Sequence, residues 1–215
     1  MDLQEQPASY RYESGMGAES ESPSGFDEQK ARNGVRLLLE AIGRNPDEAE
    51  LYETWNRRVP KMLETLSEGM RDGEKPMLRM FDAESDELIV KTGIPLYSLC
   101  EHHLLPFHGS AHVAYRPDEE MVGLSKLVRY VRWRSRRLTT QEELTRDIAT
   151  GLAAELDANG VLVELTATHM CEAMRGVETQ TATTTRETVG NITDVDRRRF
   201  RNSIRRDAEQ SGGSF

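Results

Sequence analysis

Cys100 and His103 stand at Cys-x-x-His spacing in Cys100-Glu101-His102-His103-Leu104-Leu105-Pro106-Phe107-His108-Gly109, with His102 between them. One short turn at this spacing presents a sulfur and an imidazole nitrogen to a single metal ion. Zinc suits such borderline-soft ligands, and a catalytic zinc keeps three protein ligands plus an open position for water. A third ligand must come from elsewhere in the chain. The only other cysteine is Cys171, in Thr168-His169-Met170-Cys171-Glu172. Two cysteines, each beside a histidine, read more naturally as one metal site than as a disulfide. Spacing leaves alternatives open. The cysteines can be small apolar core residues. Equally, His102 or His169 can close a structural zinc as a fourth ligand, or act as an acid–base group beside an open ion.

Such residues need rigid elements to hold them. Val161 to Ala167 is the clearest strand, and its period of two puts Val161, Val163, Leu165, Ala167, His169 and Cys171 on one face if the chain stays extended. His169 and Cys171 then emerge together at the end of an apolar face. Residues 87–99 read as an extended segment interrupted at Gly93-Ile94-Pro95, and 107–115 as a second strand followed by turn chemistry at Pro117-Asp118-Glu119-Glu120. A threonine-rich strand is expected over 177–188. Between these strands, 125–137 reads as a helix. Thr140 with Glu143 makes a capping-box pattern for a second helix to about Asp157, stopped at Asn159-Gly160.

Upstream, Val35, Leu38, Leu39 and Ile42 fall at helical steps and predict a helix over 27–42. Asn45-Pro46 opens another through Trp55, and Pro60 bends or restarts the chain before a helical 61–70. Packing is the default role of all these apolar residues. A heavily charged helix over 194–208 belongs on the surface. Two strands, two helices and two strands make an α+β arrangement.

At 215 residues the chain fits one domain with a real core. Residues 1–26 are rich in Ser, Gly, Glu and Pro and are expected to be disordered. A helical region, 27–72, precedes the α+β domain, 73–208, and a short tail, 209–215. The start lacks the pattern of a secretory signal, and no segment is long and apolar enough to cross a membrane. The expectation is a soluble, cytoplasmic protein, and two cysteines without a disulfide framework agree with a reducing compartment. A net charge of −9 argues against nucleic acid and anionic membranes as partners.

Several ordered blocks resemble the GTP cyclohydrolase I family. They are Cys100-Glu101-His102-His103, Pro106-Phe107-His108-Gly109, His112-Val113-Ala114-Tyr115, Val122-Gly123-Leu124-Ser125-Lys126-Leu127 with Arg129, Gln141-Glu142-Glu143-Leu144-Thr145, Thr168-His169-Met170-Cys171, Met174-Arg175-Gly176-Val177 and Thr181 to Thr185. The resemblance covers about Leu96 to Gly190. It implies the tunnelling fold, a β-β-α-α-β-β core with an N-terminal helical extension that packs subunits together. It also implies an oligomeric barrel, a homodecamer with active sites between subunits. The implied reaction hydrolyses GTP to 7,8-dihydroneopterin triphosphate and formate on a zinc ion held by Cys100, His103 and Cys171.

The same resemblance assigns the other roles. Lys126 and Arg129, three apart on one helix face, and Arg175 meet the triphosphate, aided by N–H groups at the helix start. Other arginines of that helix, Arg132, Arg134, Arg136 and Arg137, are solvated or paired by default. Glu142 reads guanine, whose N1–H and 2-amino group it can accept together, and Gln141 assists from the same turn. Without the resemblance, Glu142 would be a first-turn carboxylate suited to the helix dipole. His102 and His169 move protons. Ser125 joins the later rearrangement of the ribose, although a hydroxyl there is commonly a cap. Glu101 orients its histidine neighbours or pairs with a cation, and His108 and His112 have less claim on the chemistry. Glu143 departs from the family, which usually carries arginine at that position. Two other readings are a tunnelling-fold enzyme acting on a pterin or deazapurine through a nucleophilic cysteine, and a catalytically silent GTP-binding assembly subunit.

Overall fold

The computed structural model describes residues 25–211. In chain order its strands are β1 (Met80–Asp82), β2 (Ile89–Cys100), β3 (Pro106–Arg116), β4 (Glu120–Val122), β5 (Leu138–Thr139), β6 (Gly160–His169) and β7 (Ala182–Gly190). Its α-helices are α1 (Glu28–Ala41), α2 (Ala49–Glu53), α3 (Val59–Leu66), α4 (Leu124–Ser135), α5 (Gln141–Leu156), α6 (Met170–Ala173) and α7 (Asp194–Ser211). A mixed sheet runs β5-β2-β3-β6-β7, antiparallel except where β5 lies parallel to the end of β2. β1 and β4 pair separately. The chain is α+β, and β2-β3-α4-α5-β6-β7 follows the expected order of elements.

Burial on both faces explains why β6 reads as an almost continuous apolar run. Val161, Val163, Leu165 and Ala167 face Phe107, Ala111, Val113 and Tyr115 of β3, with Leu127 and Val131 of α4 and Leu144, Ile148 and Leu152 of α5 in the same core. Each such fully buried aliphatic side chain contributes about 1.5–3 kcal/mol. Leu162 and Ala114 turn to the opposite face, where Phe200 of α7 covers them. Glu164, also on that side, is buried and bonded to Arg186 of β7.

α4 runs the length of the sheet, and its direction matters for the site. Next to its first turn, the Val122 amide donates to Tyr115 Oη at 3.1 Å, at the Ile89–Tyr115 end of the β2–β3 pair. Just after its last turn, Arg137 O accepts from Leu99 N at 3.1 Å and Ser98 Oγ at 3.0 Å, beside Cys100. α5 then starts at the Cys100 end. Its N-cap is Thr140, whose side chain accepts from Glu143 N at 3.2 Å. The Glu143 carboxylate leaves the reciprocal half of the box and turns to Thr139 Oγ1 at 3.5 Å.

Several boundaries differ from the sequence reading. The last sheet strand begins at Ala182, since Gly176 and Glu178 have positive φ and keep residues 176–181 out of the ladder. α4 stops at Ser135, two residues short of expectation. α5 ends at Asp157 in the left-handed region (φ 44°), and Gly160 instead opens β6. Pro60 stands in the first turn of α3, where a helix tolerates its missing N–H, so α-helix restarts there after a π-helical turn over Thr54–Arg58. Residues 61–70 are helical to Leu66, followed by a 3-10 turn over Glu68–Met70. α7 extends to Ser211, into the stretch read as tail. The expected disorder of 1–26 lies, up to residue 24, outside the described residues.

The helical region meets its expected packing only in part. Val35 is buried, but Leu38 and Ile42 are 66% and 73% exposed. Among the described residues no helix is long and apolar enough to cross a membrane.

Candidate metal centre

Cys100 is the last residue of β2, and a tight turn follows. Its N–H donates to Leu105 O at 2.8 Å, while its own carbonyl accepts from Leu104 N at 2.8 Å and His103 N at 3.3 Å. Leu104 takes φ 55° to close this loop, an uncommon conformation for a branched side chain, held by the hydrogen bonds on either side. The Glu101 amide also donates to Thr139 O at 3.3 Å, tying the turn to β5. The turn swings His103 back until Nδ1 lies 3.6 Å from Cys100 Sγ.

Cys171 reaches the same point from a different element. β6 ends at His169, and α6 starts at Met170, so the expected extended face does not run on to Cys171. The helical turn instead places its thiol so that one donor atom each of Cys100, His103 and Cys171 lie within 4.8 Å of one another. A tetrahedral ion with bonds of about 2.0–2.3 Å separates its donors by roughly 3.5–3.8 Å, so modest closure brings all three into range. The donor set fits zinc. Burial, then the Cys100 thiol beside it, pushes the Cys171 thiol up, against the opposing charge of Arg175. Two adjacent thiols resist ionising together, and a divalent cation is what offsets that cost.

His169 is the last residue of β6, two before Cys171. Its ring stacks on Phe107 with centroids 4.8 Å apart and planes 14° from parallel. Its Nε2 lies 2.8 Å from Gln141 Oε1. Burial holds its pKa below the usual imidazole value, while Glu142 and Glu172 act the opposite way. Glu142 is exposed in the first turn of α5, next to Gln141. Gln141 is 1% exposed, and its Nε2 donates to Leu165 O, Thr183 O and Thr185 Oγ1 at 3.1, 3.0 and 3.1 Å. Its side chain is therefore engaged inside the fold rather than presented to a base, as the sequence reading had it.

The remaining residues divide by position. His102 lies at the rim, its Nδ1 3.9 Å from Cys100 Sγ and its Nε2 3.7 Å from Glu101 Oε1. Arg175 is exposed after α6, close enough for its charge to act on Cys171. Ser125, Lys126 and Arg129 sit in the first half of α4, the end away from Cys100. At 1.5 Å of rise per residue Ser125 and Lys126 stand roughly 14–15 Å along the axis from the Ser135 end, too far for one chain to bring them to the thiols, whereas Arg129 lies midway, about 9 Å from that end. Arg134 and Arg137 pair with Asp147, and Arg136 with Glu68. His108 is exposed against Tyr97, and His112 is buried on the far face of the sheet. Two contributors escaped the sequence reading: Phe107, readable only as an apolar strand residue, and Thr185, one threonine among several.

Comparison with known proteins follows the same residues. The family model described as GTP cyclohydrolase I matches residues 31–205. A protein of Campylobacter jejuni named GTP cyclohydrolase 1 is 44% identical over 167 residues, covering 77% of this chain and 87% of that one. Its namesake from Pelotomaculum thermopropionicum is 46% identical over 155 residues, 71% of this chain and 82% of that one. The one from Mycobacterium avium is 45% identical over 169 residues, 78% and 83% of the two chains. Among solved structures, an archaeosine synthase QueF-Like in the apo form overlays with a TM-score of 0.38 at 16% identity. It covers 51% of this chain and 100% of that one, too distant a likeness to bear on function.

Proposed function

Because this chain belongs to the GTP cyclohydrolase I family, we propose that it is a zinc-dependent GTP cyclohydrolase I, converting GTP to 7,8-dihydroneopterin 3'-triphosphate and formate. The observation that carries the reading is the convergence of Cys100, His103 and Cys171 beside His102 and His169. Zinc held by those three residues supplies a Lewis acid that makes water acidic enough to hydrolyse a C–N bond near neutral pH. Both cysteines are then ligands, which leaves no nucleophilic cysteine for the alternative chemistry on a pterin or deazapurine.

The chain's own groups do the rest. The Glu142 carboxylate accepts from guanine N1–H and the 2-amino group, and adenine would leave it unpaired. His169 takes a proton from the water that adds at C8 of guanine, and His102 delivers a proton to the ring nitrogen that leaves. Loss of formate follows, and ribose opening, rearrangement and closure to the pterin draw on the same two imidazoles and on Ser125. Arg175 neutralises phosphate charge next to the centre.

Lys126, Arg129 and Ser125 act from a second copy of the chain. Their place on the far half of α4 supports a site built between subunits, in a homo-oligomer of the decameric, tunnelling-fold kind. The exposed Leu38 and Ile42 support a subunit-packing role for the N-terminal helical region, 27–72, outside the catalytic domain of 73–208. Work in the cytoplasm suits its two free cysteines, and the product feeds pterin or tetrahydrofolate-type biosynthesis.

The test is incubation of zinc-loaded protein with GTP while formate and pterin absorbance are followed together. Stoichiometric appearance of both, lost in Cys171→Ala, is the expected result. Formate without pterin would place the failure in the later rearrangement. Neither product, with GTP still bound, would make the chain a silent subunit.

A further inference from the structure

We propose that Gln141 is a positioning residue that fixes His169 as the Nε2–H tautomer, leaving its Nδ1 as a bare lone pair. This rests on the functional reading above and adds a residue and an atom to it.

The argument is one of proton order. The Gln141 side-chain nitrogen lies 3.1 Å from Leu165 O and 3.0 Å from Thr183 O. Backbone carbonyls only accept, so the amide NH2 must face them, and a flipped amide would set oxygen against oxygen. The third neighbour, Thr185 Oγ1 at 3.1 Å, has its own proton committed. Thr145 Oγ1 donates to the Gln141 backbone carbonyl at 2.6 Å. It therefore receives the Thr185 hydroxyl proton across the 2.6 Å gap between the two oxygens. Thr185 is thus left as an acceptor, so the two amide protons of Gln141 are shared among three acceptors and all three neighbours hold its nitrogen, not its oxygen, on that side.

With the amide fixed, Oε1 is what meets His169 Nε2 at 2.8 Å. A carbonyl oxygen has no proton to give, so Nε2 must carry one. Neutral imidazole has a single ring proton, and Nδ1 is left bare. Phe107, stacked at 4.8 Å, restricts rotation of the ring. The amide does for His169 what a carboxylate does for a catalytic histidine in a triad, without adding charge beside a metal centre.

The chain has five histidines, so [15N]histidine-labelled, zinc-loaded protein gives a spectrum simple enough to assign by solid-state NMR, with His169→Gln identifying the relevant signals. His169 protonated on Nε2 and bare on Nδ1 is expected; a proton on Nδ1 overturns the proposal whatever any variant does. Gln141→Met keeps the length and volume of the side chain and removes the acceptor. It should mix the two tautomers and lower kcat for GTP by roughly 10–100-fold, with KM and zinc content held. A Gln141→Met protein with an unmixed Nε2–H signal and wild-type kcat also overturns it. A bare Nδ1 in wild-type protein that does not turn over GTP sinks the functional reading and leaves the tautomer assignment standing.

Discussion

Cys100 Sγ and His103 Nδ1 lie 3.6 Å apart, the separation of two donors on one tetrahedral ion. The Cys100–Leu105 turn holds them there through backbone bonds, so the pair is preorganised before any metal arrives. Cys171 has no such closure and depends on the short α6 turn. Purified protein should hold about one zinc per chain, and Cys171→Ala, Cys100→Ala or His103→Ala should each lower this below about a tenth. Metal analysis after dialysis checks it. Full zinc in Cys171→Ala would remove that residue from the ligand set.

Ser125 and Lys126 lie at the opposite end of α4 from Cys100, and this asks for complementation between chains. Lys126→Ala and Cys171→Ala should each lose most GTP turnover. Unfolded together and reassembled at equal amounts, they should regain roughly a quarter of wild-type activity, the share of sites that draw both intact halves from different chains. Zero recovery in verified mixed oligomers would mean that all these residues serve one chain's own site.

Gly109 makes a sharper test of the sheet than any apolar residue. It pairs with Ala167 across β3 and β6, and a Cβ there would stand 2.0 Å from Thr166 O and 2.7 Å from Ala167 Cα. Both are backbone atoms that cannot swing aside. Gly109→Ala should cost roughly 1–3 kcal/mol or more by forcing the ladder apart. Because the strain falls two residues along the ladder from the Phe107–His169 pair, on the strand that leads to Cys171, zinc affinity should fall with it. Chemical denaturation and metal titration of the variant read both effects, and a wild-type midpoint would contradict the register.

What was legible in the sequence was mainly what is local. Thr140 caps α5 through Glu143, three residues on, and the Cys-x-x-His turn lies within one loop, so both could be read from spacing. The α6 turn at Cys171 was not, because leaving the strand at His169 is decided by packing rather than by alternation. Gln141 was placed at the substrate for the same reason. Its partners Leu165, Thr183 and Thr185 are distant in sequence and adjacent only after β6 and β7 pair. Lys126 and Arg129 were correctly seen to share a helix face, yet nothing in that spacing says which end of the sheet the face overlooks.

Asp196 supplies the pH dependence with the clearest sign. It is 1% exposed and receives Arg116 Nε at 3.1 Å. It also forms a reciprocal cap at the start of α7, accepting from Thr193 N at 2.9 Å while its own N–H donates to Thr193 Oγ1 at 3.2 Å. Burial alone would raise its pKa, but Arg116 and Thr193 outweigh it and hold the carboxyl at about 2, below its ordinary 3.8. The folded state thus favours the ionised form, and the unfolded state binds the proton first. The stabilisation is fully present above pH 3.8 and is lost as pH falls through about 2. Its size is about 2 kcal/mol. Asp196→Asn should be less stable than wild type at neutral pH, and the gap between the two should close by about that amount on acidification. Denaturant midpoints for both proteins across pH 6 to 2 test it; a gap that stays constant would mean that the charge on Asp196 contributes nothing to holding α7 on the sheet.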